Sequence, residues 1–346
     1  MNSHRADKVE RTGRGLRPLE SLTRWWWQPV RWSELRTVRG GLSLLTAAYF
    51  LDALSDLGVW FGEGGLHSAS RVDQFLRSAG LEQEAAASVS PLFWVDSYGM
   101  YVLFVLLAIV FSLTVTAVDW GGARFSRFVS RPGVRRGLVI LPWVIWLCIV
   151  AWANRLLWLS GLTETLLSWT WFAVAIAGSS GCEVRPVPGE PIEVDNAPRS
   201  SATAGFGMRL LALQGSLLVF ITWVSMLTAP VWWNGTGAVA LSAATDHRTV
   251  NWLPLLAPVW MHESVTHALI VAMPLGLWMA WRPAAAARRV GIGVLTVWAV
   301  VVALLGSHWV YGGLLILAFR AIGAVNRSDA LAMPAVEDGL VDAAKA

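Results

Sequence analysis

Lysine is almost missing from this chain. Of its 27 basic residues only Lys8 and Lys345 are lysines, and both lie in the tails. No apolar segment can therefore supply a lysine as base, nucleophile or Schiff-base amine. Charge is scarce too, at 14% of residues against about 25% in soluble domains. That excludes a disordered chain and an ordinary soluble enzyme. The two cysteines, Cys148 in an apolar run and Cys182 in a polar loop, exclude a disulfide scaffold and lack zinc-ligand spacing.

What is present is apolar. Hydrophobic residues make up 55% of the 346 positions, the mean hydropathy is +0.52, and there are 22 tryptophans. Tryptophan concentrates where a helix crosses the boundary between water and lipid. The composition predicts an all-α, polytopic transmembrane helical bundle. A helix needs about 20 apolar residues to cross a hydrocarbon core of about 30 Å. Spans are predicted near 41–61, 93–118, 137–154, 162–178, 208–230, 255–281, 290–306 and 309–324. The last two form one apolar run interrupted by Gly306-Ser307-His308, read as a tight hairpin; a single tilted helix over 290–324 is the competing reading. Residues 1–37 contain no short apolar core of a cleavable signal peptide.

Arginine placement sets an expected orientation. Basic residues crowd the arm (Arg5 to Arg39, with Lys8), the loop after span two (Arg124 to Arg136), the loop after span four (Arg185, Arg199), the loop after span six (Arg282, Arg288, Arg289) and the tail (Arg320, Arg327). Eight alternating spans put all of these on one side. The positive-inside rule makes that side cytoplasmic, with both termini there. The same rule explains the net charge of +4 without a nucleic-acid partner. The expected organisation is a cytoplasmic Arg/Trp-rich arm over 1–37, a transmembrane domain over 38–324 and a cytoplasmic tail over 325–346. Residues 179–205, rich in Pro, Gly, Ser and acid, read as a flexible cytoplasmic loop between two four-span halves that show no internal repeat. Trp25, Trp26, Trp27, Arg31 and Trp32 read as an interfacial anchor in which Pro29 limits any helix.

A charge at a helix centre costs about 2.5–3.5 kcal/mol on insertion scales, so each intramembrane polar residue is a functional candidate. Here they are Asp52, Asp56, Asp96, Asn154, Arg155, Glu164, His262, Glu263, His267 and His308, nearly all in the outer halves of their spans. A site would open outward. Asp52 and Asp56 share a helical face at i,i+4, and with Arg155 they read as a buried ion network or a ligand-cavity lining. His262 and His267 are at i,i+5, about 140° apart on a helix, and do not form the zincin pair. No metal site is expected. Glu263 and His267 do share a face, and read as a structural polar pair, as ligand contacts, or as an acid–base pair.

The order of several segments resembles the HTTM family, the membrane domain shared with vitamin K-dependent γ-glutamyl carboxylases. Asp52-Ala-Leu-Ser-Asp56 running into Phe61-Gly-Glu-Gly-Gly-Leu66 resembles that family's first helix and turn. Asn154-Arg155…Gly161-Leu-Thr-Glu164 resembles its hairpin between spans three and four. Arg209…Gln214…Trp232-Trp-Asn-Gly235-Thr236 resembles its fifth span and exit, and Glu263 matches its glutamate. The resemblance covers roughly residues 40–320. It implies the helical fold, and a quinone as the class of lipid-soluble ligand. The lysine that acts as base in the carboxylases falls at Met226 here, its histidine in span seven falls near Trp298, and the β-rich extramembrane domain is missing. The resemblance therefore does not extend to carboxylation.

The sequence reading is a bacterial inner-membrane protein without γ-carboxylase chemistry. Its outward-facing polar cavity, lined by Asp52, Asp56, Arg155, Glu164, Gln214, Trp232 and Gly235, would handle a lipid-soluble ligand, or a partner peptide or protein. The alternatives are an enzyme modifying a peptide or lipid at the outer face through Glu263 and His267, and a small-solute transporter.

Overall fold

A computed structural model describes residue 20, residues 22–62, isolated positions between 65 and 80, and residues 90–95, 97–121, 132–156, 161–179, 200–243, 258–306 and 308–332. Asp96, Cys182, most of the arm over 1–37 and residues 180–199 of the polar internal loop lie outside that set. The described residues are nearly all helical. Among them, eight long helices carry the fold: α1 (Trp32–Phe61), α2 (Tyr98–Trp120), α3 (Pro132–Arg155), α4 (Leu162–Gly178), α5 (Ala202–Thr228), then, after the short α6 (Pro230–Trp233) and α7 (Gly237–Ala243), α8 (Val259–Ala280), α9 (Ala285–Gly306) and α10 (Trp309–Ala332). An antiparallel ladder pairs β1 (Val30–Arg31) with β2 (Ser200–Ser201), Val30 opposite Ser201.

Seven of these helices are long and apolar enough to cross a membrane. The eighth, α4, has 17 residues, about 25 Å at 1.5 Å per residue, which falls at the short limit for a span. Successive long helices run antiparallel. Arg39 of α1 meets Asp119 of α2, Gly207 of α5 meets Ala173 and Ala177 of α4, and Gly291 of α9 meets Ala280 of α8. The start of α1 and the end of α10 consequently share one end of the bundle, where Gln28 donates to the Ser328 carbonyl.

Several boundaries differ from those expected. Helix α1 begins at Trp32 rather than 41, because its charged first turns are satisfied: Arg36 and Arg39 both reach Asp119. Helix α5 begins at Ala202, so Ser200–Gly205 are part of a strand and a helix rather than loop; the Ser201 hydroxyl caps the helix by accepting the Ala204 amide. Helix α10 runs past 324 to Ala332, with Arg327 held by Glu34 of α1. Residues 22–27 form a helical turn that stops before Gln28-Pro29, where proline forbids continuation. The run 290–324 is broken between Gly306 and Trp309 into two packed helices, not one.

The core is organised around α10, which touches α1, α4, α5 and α9. Of its most apolar stretch 72% is buried, against 28–33% in the other six candidate spans. Small residues make this packing possible. A Cβ on Gly312 would sit 2.6 Å from Ala303 Cβ, and one on Gly215 would sit 2.6 Å from Ala318 Cβ. Such close backbone approach is how helices associate where lipid is as apolar as leucine.

Candidate functional site

At the end of the bundle shared by the start of α1 and the end of α10, basic residues predominate, and several are paired. Asp119 accepts from Arg39 Nε at 2.7 Å and from Arg39 Nη2 at 2.6 Å, with its side chain fully buried. Glu34 pairs with Arg327 at 2.8 Å and Arg320 at 3.7 Å. Arg209, wholly buried, donates to the Gln28 carbonyl at 2.7 Å and lies over Trp25. Trp27 and Phe206 stack at 5.0 Å. The Trp-rich turn is thus bound to the start of α5.

The opposite end holds two separate polar groups. The first lies among α1 to α4. Glu164 opens α4 by accepting the Gly161 amide at 2.7 Å with one oxygen, and with the other it accepts Tyr49 Oη at 2.7 Å. Trp152 Nε1 donates to Tyr49 Oη at 3.2 Å. Arg155, only 2% exposed, donates through Nε to Tyr101 Oη at 2.9 Å and lies over the Phe61 and Tyr101 rings. Those two rings stack at 4.2 Å, and Trp152 packs on Phe61 and Phe104. The Tyr101 hydroxyl in turn donates to the carbonyls of Leu92 and Val95, at 2.9 Å each. This group is an aromatic box with its cation and its carboxylate already engaged.

Asp52 and Asp56 do not join it. They share one exposed face of α1, with the Ser55 hydroxyl donating to the Asp52 carbonyl and Asp56 carboxylate, and no ion pair links either to Arg155 among the described residues. Their i,i+4 face turns outward, while Arg155 is drawn to Tyr101 at the start of α2. The expected buried network of Asp52, Asp56 and Arg155 is therefore replaced by a tyrosine-centred one.

The second group joins α6, α7 and α8. Gly235 adopts φ +74°, a left-handed conformation that costs other residues about 1–2 kcal/mol. A Cβ there would sit 2.6 Å from Glu263 Cγ. The buried Thr266 hydroxyl donates to the Gly235 and His262 carbonyls at 2.9 and 2.8 Å, and accepts the Ala238 amide at 3.0 Å. Trp232 is half-buried against Gly237. Glu263 and His267 are both exposed on α8, and His267 Nδ1 bonds to the Glu263 carbonyl, not its carboxylate, at 2.8 Å. Because a carbonyl only accepts, Nδ1 carries a proton in this contact, and the bond leaves Nε2 free of the carbonyl. Glu263 therefore does not orient this imidazole through its side chain.

Gln214 stands apart from both groups, deeper in α5, where Nε2 reaches Thr170 Oγ1 of α4 at 3.5 Å. Among the described residues no three His, Cys, Asp or Glu side chains gather as a metal ion requires. Sequence reasoning did not single out Tyr49, Tyr101, Thr266 or Asp119. The available signal was rarity: the chain has four tyrosines, and two of them hold this network. No protein-family model, no curated protein and no solved structure matches this chain.

Proposed function

We propose that this is a bacterial inner-membrane protein of the HTTM kind, with eight spans and both termini cytoplasmic. Its outer end handles a lipid-soluble ligand, a quinone or a lipid, or receives a partner peptide, without γ-carboxylation. The observation that carries the reading is the meeting of Gly235 with Glu263. Two segments picked out by resemblance close on one another at the outer end, beside an exposed carboxylate and an exposed imidazole. The absence of lysine from every span removes the base that carboxylation would need. Protein purified in mild detergent and extracted with organic solvent should yield a lipid-soluble compound beyond phospholipid, depleted in Glu263→Gln. Phospholipid alone, from several preparations, overturns the ligand reading.

A second reading is enzymatic. With Nδ1 held by the Glu263 carbonyl, the neutral form of His267 offers Nε2 as a general base toward a peptide or lipid presented at the outer face, with Glu263 one turn away. If Glu263→Gln and His267→Ala both insert normally and leave the cellular phenotype intact, that reading fails.

A further inference from the structure

Away from both polar groups, a groove of about 440 Å³ runs between α5 and α8 near the basic end, a volume within the ordinary range of ligand sites, about 300–1,000 Å³. Val219, Phe220 and Trp223 line it from α5, and Pro274, Leu277 and Trp278 from α8, with Trp281 at the end of that helix. Each set follows helical spacing; Val219 forms the buried floor of the trough, Trp223 and Leu277 its half-buried walls, and Phe220 and Trp278 its exposed lips. The two helices are tied at its basic end by Trp281 Nε1, which donates to Ser216 Oγ at 2.9 Å. Phe220 and Trp278 remain more than half exposed, so the trough is open sideways. In a protein that spans a membrane, that side is lipid.

One charged residue stands at the rim. The Arg282 guanidinium lies 3.9 Å over the Trp278 ring and, among the described residues, pairs with no carboxylate. Every other lining side chain is a hydrocarbon or an indole. From Arg282 the trough extends to Pro274, eight residues or about 12 Å along α8, toward the middle of the bilayer. A cation at the water boundary above an apolar trough directed inward matches an anionic headgroup with its acyl chain below. Basic pockets between helices on the cytoplasmic side of a membrane take such headgroups.

We infer that the α5/α8 groove binds an anionic glycerophospholipid, with its phosphate on Arg282 and one acyl chain along Phe220, Trp223, Pro274 and Leu277. The inference rests on the chain being a membrane protein, not on what the Glu263 end does. The test is intact-complex mass spectrometry of the delipidated full chain, titrated with phosphatidylglycerol or with phosphatidylcholine of the same acyl chains. Wild type should favour phosphatidylglycerol by about fivefold, the contribution of one basic side chain at a charged membrane surface. Arg282→Ala should lose that preference and Arg282→Lys should keep most of it. Leu277→Trp, which narrows the trough at a half-buried wall position, should weaken both lipids. Arg289→Ala serves as control, because Arg289 is exposed at the same end but does not line the groove. Equal binding of the two lipids by wild type, or equal losses in Arg282→Ala and Arg289→Ala, overturns the inference. Glu263→Gln should leave the lipid ratio unchanged, which separates this outcome from the fate of the outer site.

Discussion

Arg39 and Asp119 meet across α1 and α2 as a bidentate ion pair, with both guanidinium contacts at or below 2.7 Å and the carboxylate sealed from solvent. The pair clamps two helices that also meet through Arg36, which donates to the Asp119 carbonyl, and Thr116, which donates to the Gly40 carbonyl. Removing one partner from a buried pair leaves an uncompensated charge, a loss of about 3–5 kcal/mol, whereas removing both is far milder. Asp119→Ala should therefore lower the melting temperature in detergent more than the double variant Arg39→Ala/Asp119→Ala does. A double variant at least as unstable as the single one would show that the pair is not the clamp.

Two glycines on the neighbouring helices α9 and α10 should respond oppositely to a side chain. Gly312 sits where a Cβ would overlap Ala303, while a Cβ on Gly293 meets nothing within 4 Å. Gly312→Val should lose about 1–3 kcal/mol by overpacking and broaden the size-exclusion profile. Gly293→Ala should be neutral or slightly stabilising, since alanine is the better helix former. Thermal melts of both variants compare them directly.

The Tyr49–Glu164 bond joins α1 to the first turn of α4. Tyr49→Phe removes the donor to Glu164 and the acceptor for Trp152 Nε1, and should lose about 1–3 kcal/mol as a buried indole N–H goes unmatched. Glu164→Ala removes the same bond together with the acceptor of the Gly161 amide. In a double-mutant cycle on melting stability the two changes should be coupled rather than additive. Additivity would mean that the bond contributes nothing to packing.

Gly235→Ala meets two obstacles, a left-handed backbone and the Glu263 side chain. Adding Glu263→Ala relieves only the second. Stability should fall in Gly235→Ala and recover in part, not fully, in the double variant. Full recovery would show that the positive φ carries no constraint at this turn.

Orientation is open to a direct check. Reporters fused after Arg282 and after Ala332 should be active only as cytoplasmic fusions, and a reporter within 244–257 only as an exported one. An exported reporter active at Ala332 would reverse the arginine argument.

The long helices themselves were legible in the sequence because each apolar run is a local property, about as long as a bilayer is thick. So was the hairpin at 306–309, from its glycine and polar residues. The candidate site was only partly legible. Gly235 and Glu263 were both singled out and do meet, and Glu164 does open α4. Asp52 and Asp56, however, stay apart from Arg155. Arg155 and Glu164 each bond to a tyrosine, a residue that carries no formal charge to mark it within an apolar run.

The sequence by itself determined that this protein is a lysine-poor bundle of membrane helices, since length, apolarity and arginine placement need no knowledge of which helix touches which. Only the tertiary structure decided which helix lies at the centre. Helix α10 is among the less apolar spans yet the most buried. In a bilayer, lipid and protein interior are equally apolar, so hydropathy cannot distinguish them. What selects α10 is the close approach allowed by its glycines and alanines, and that is a property of pairs of helices.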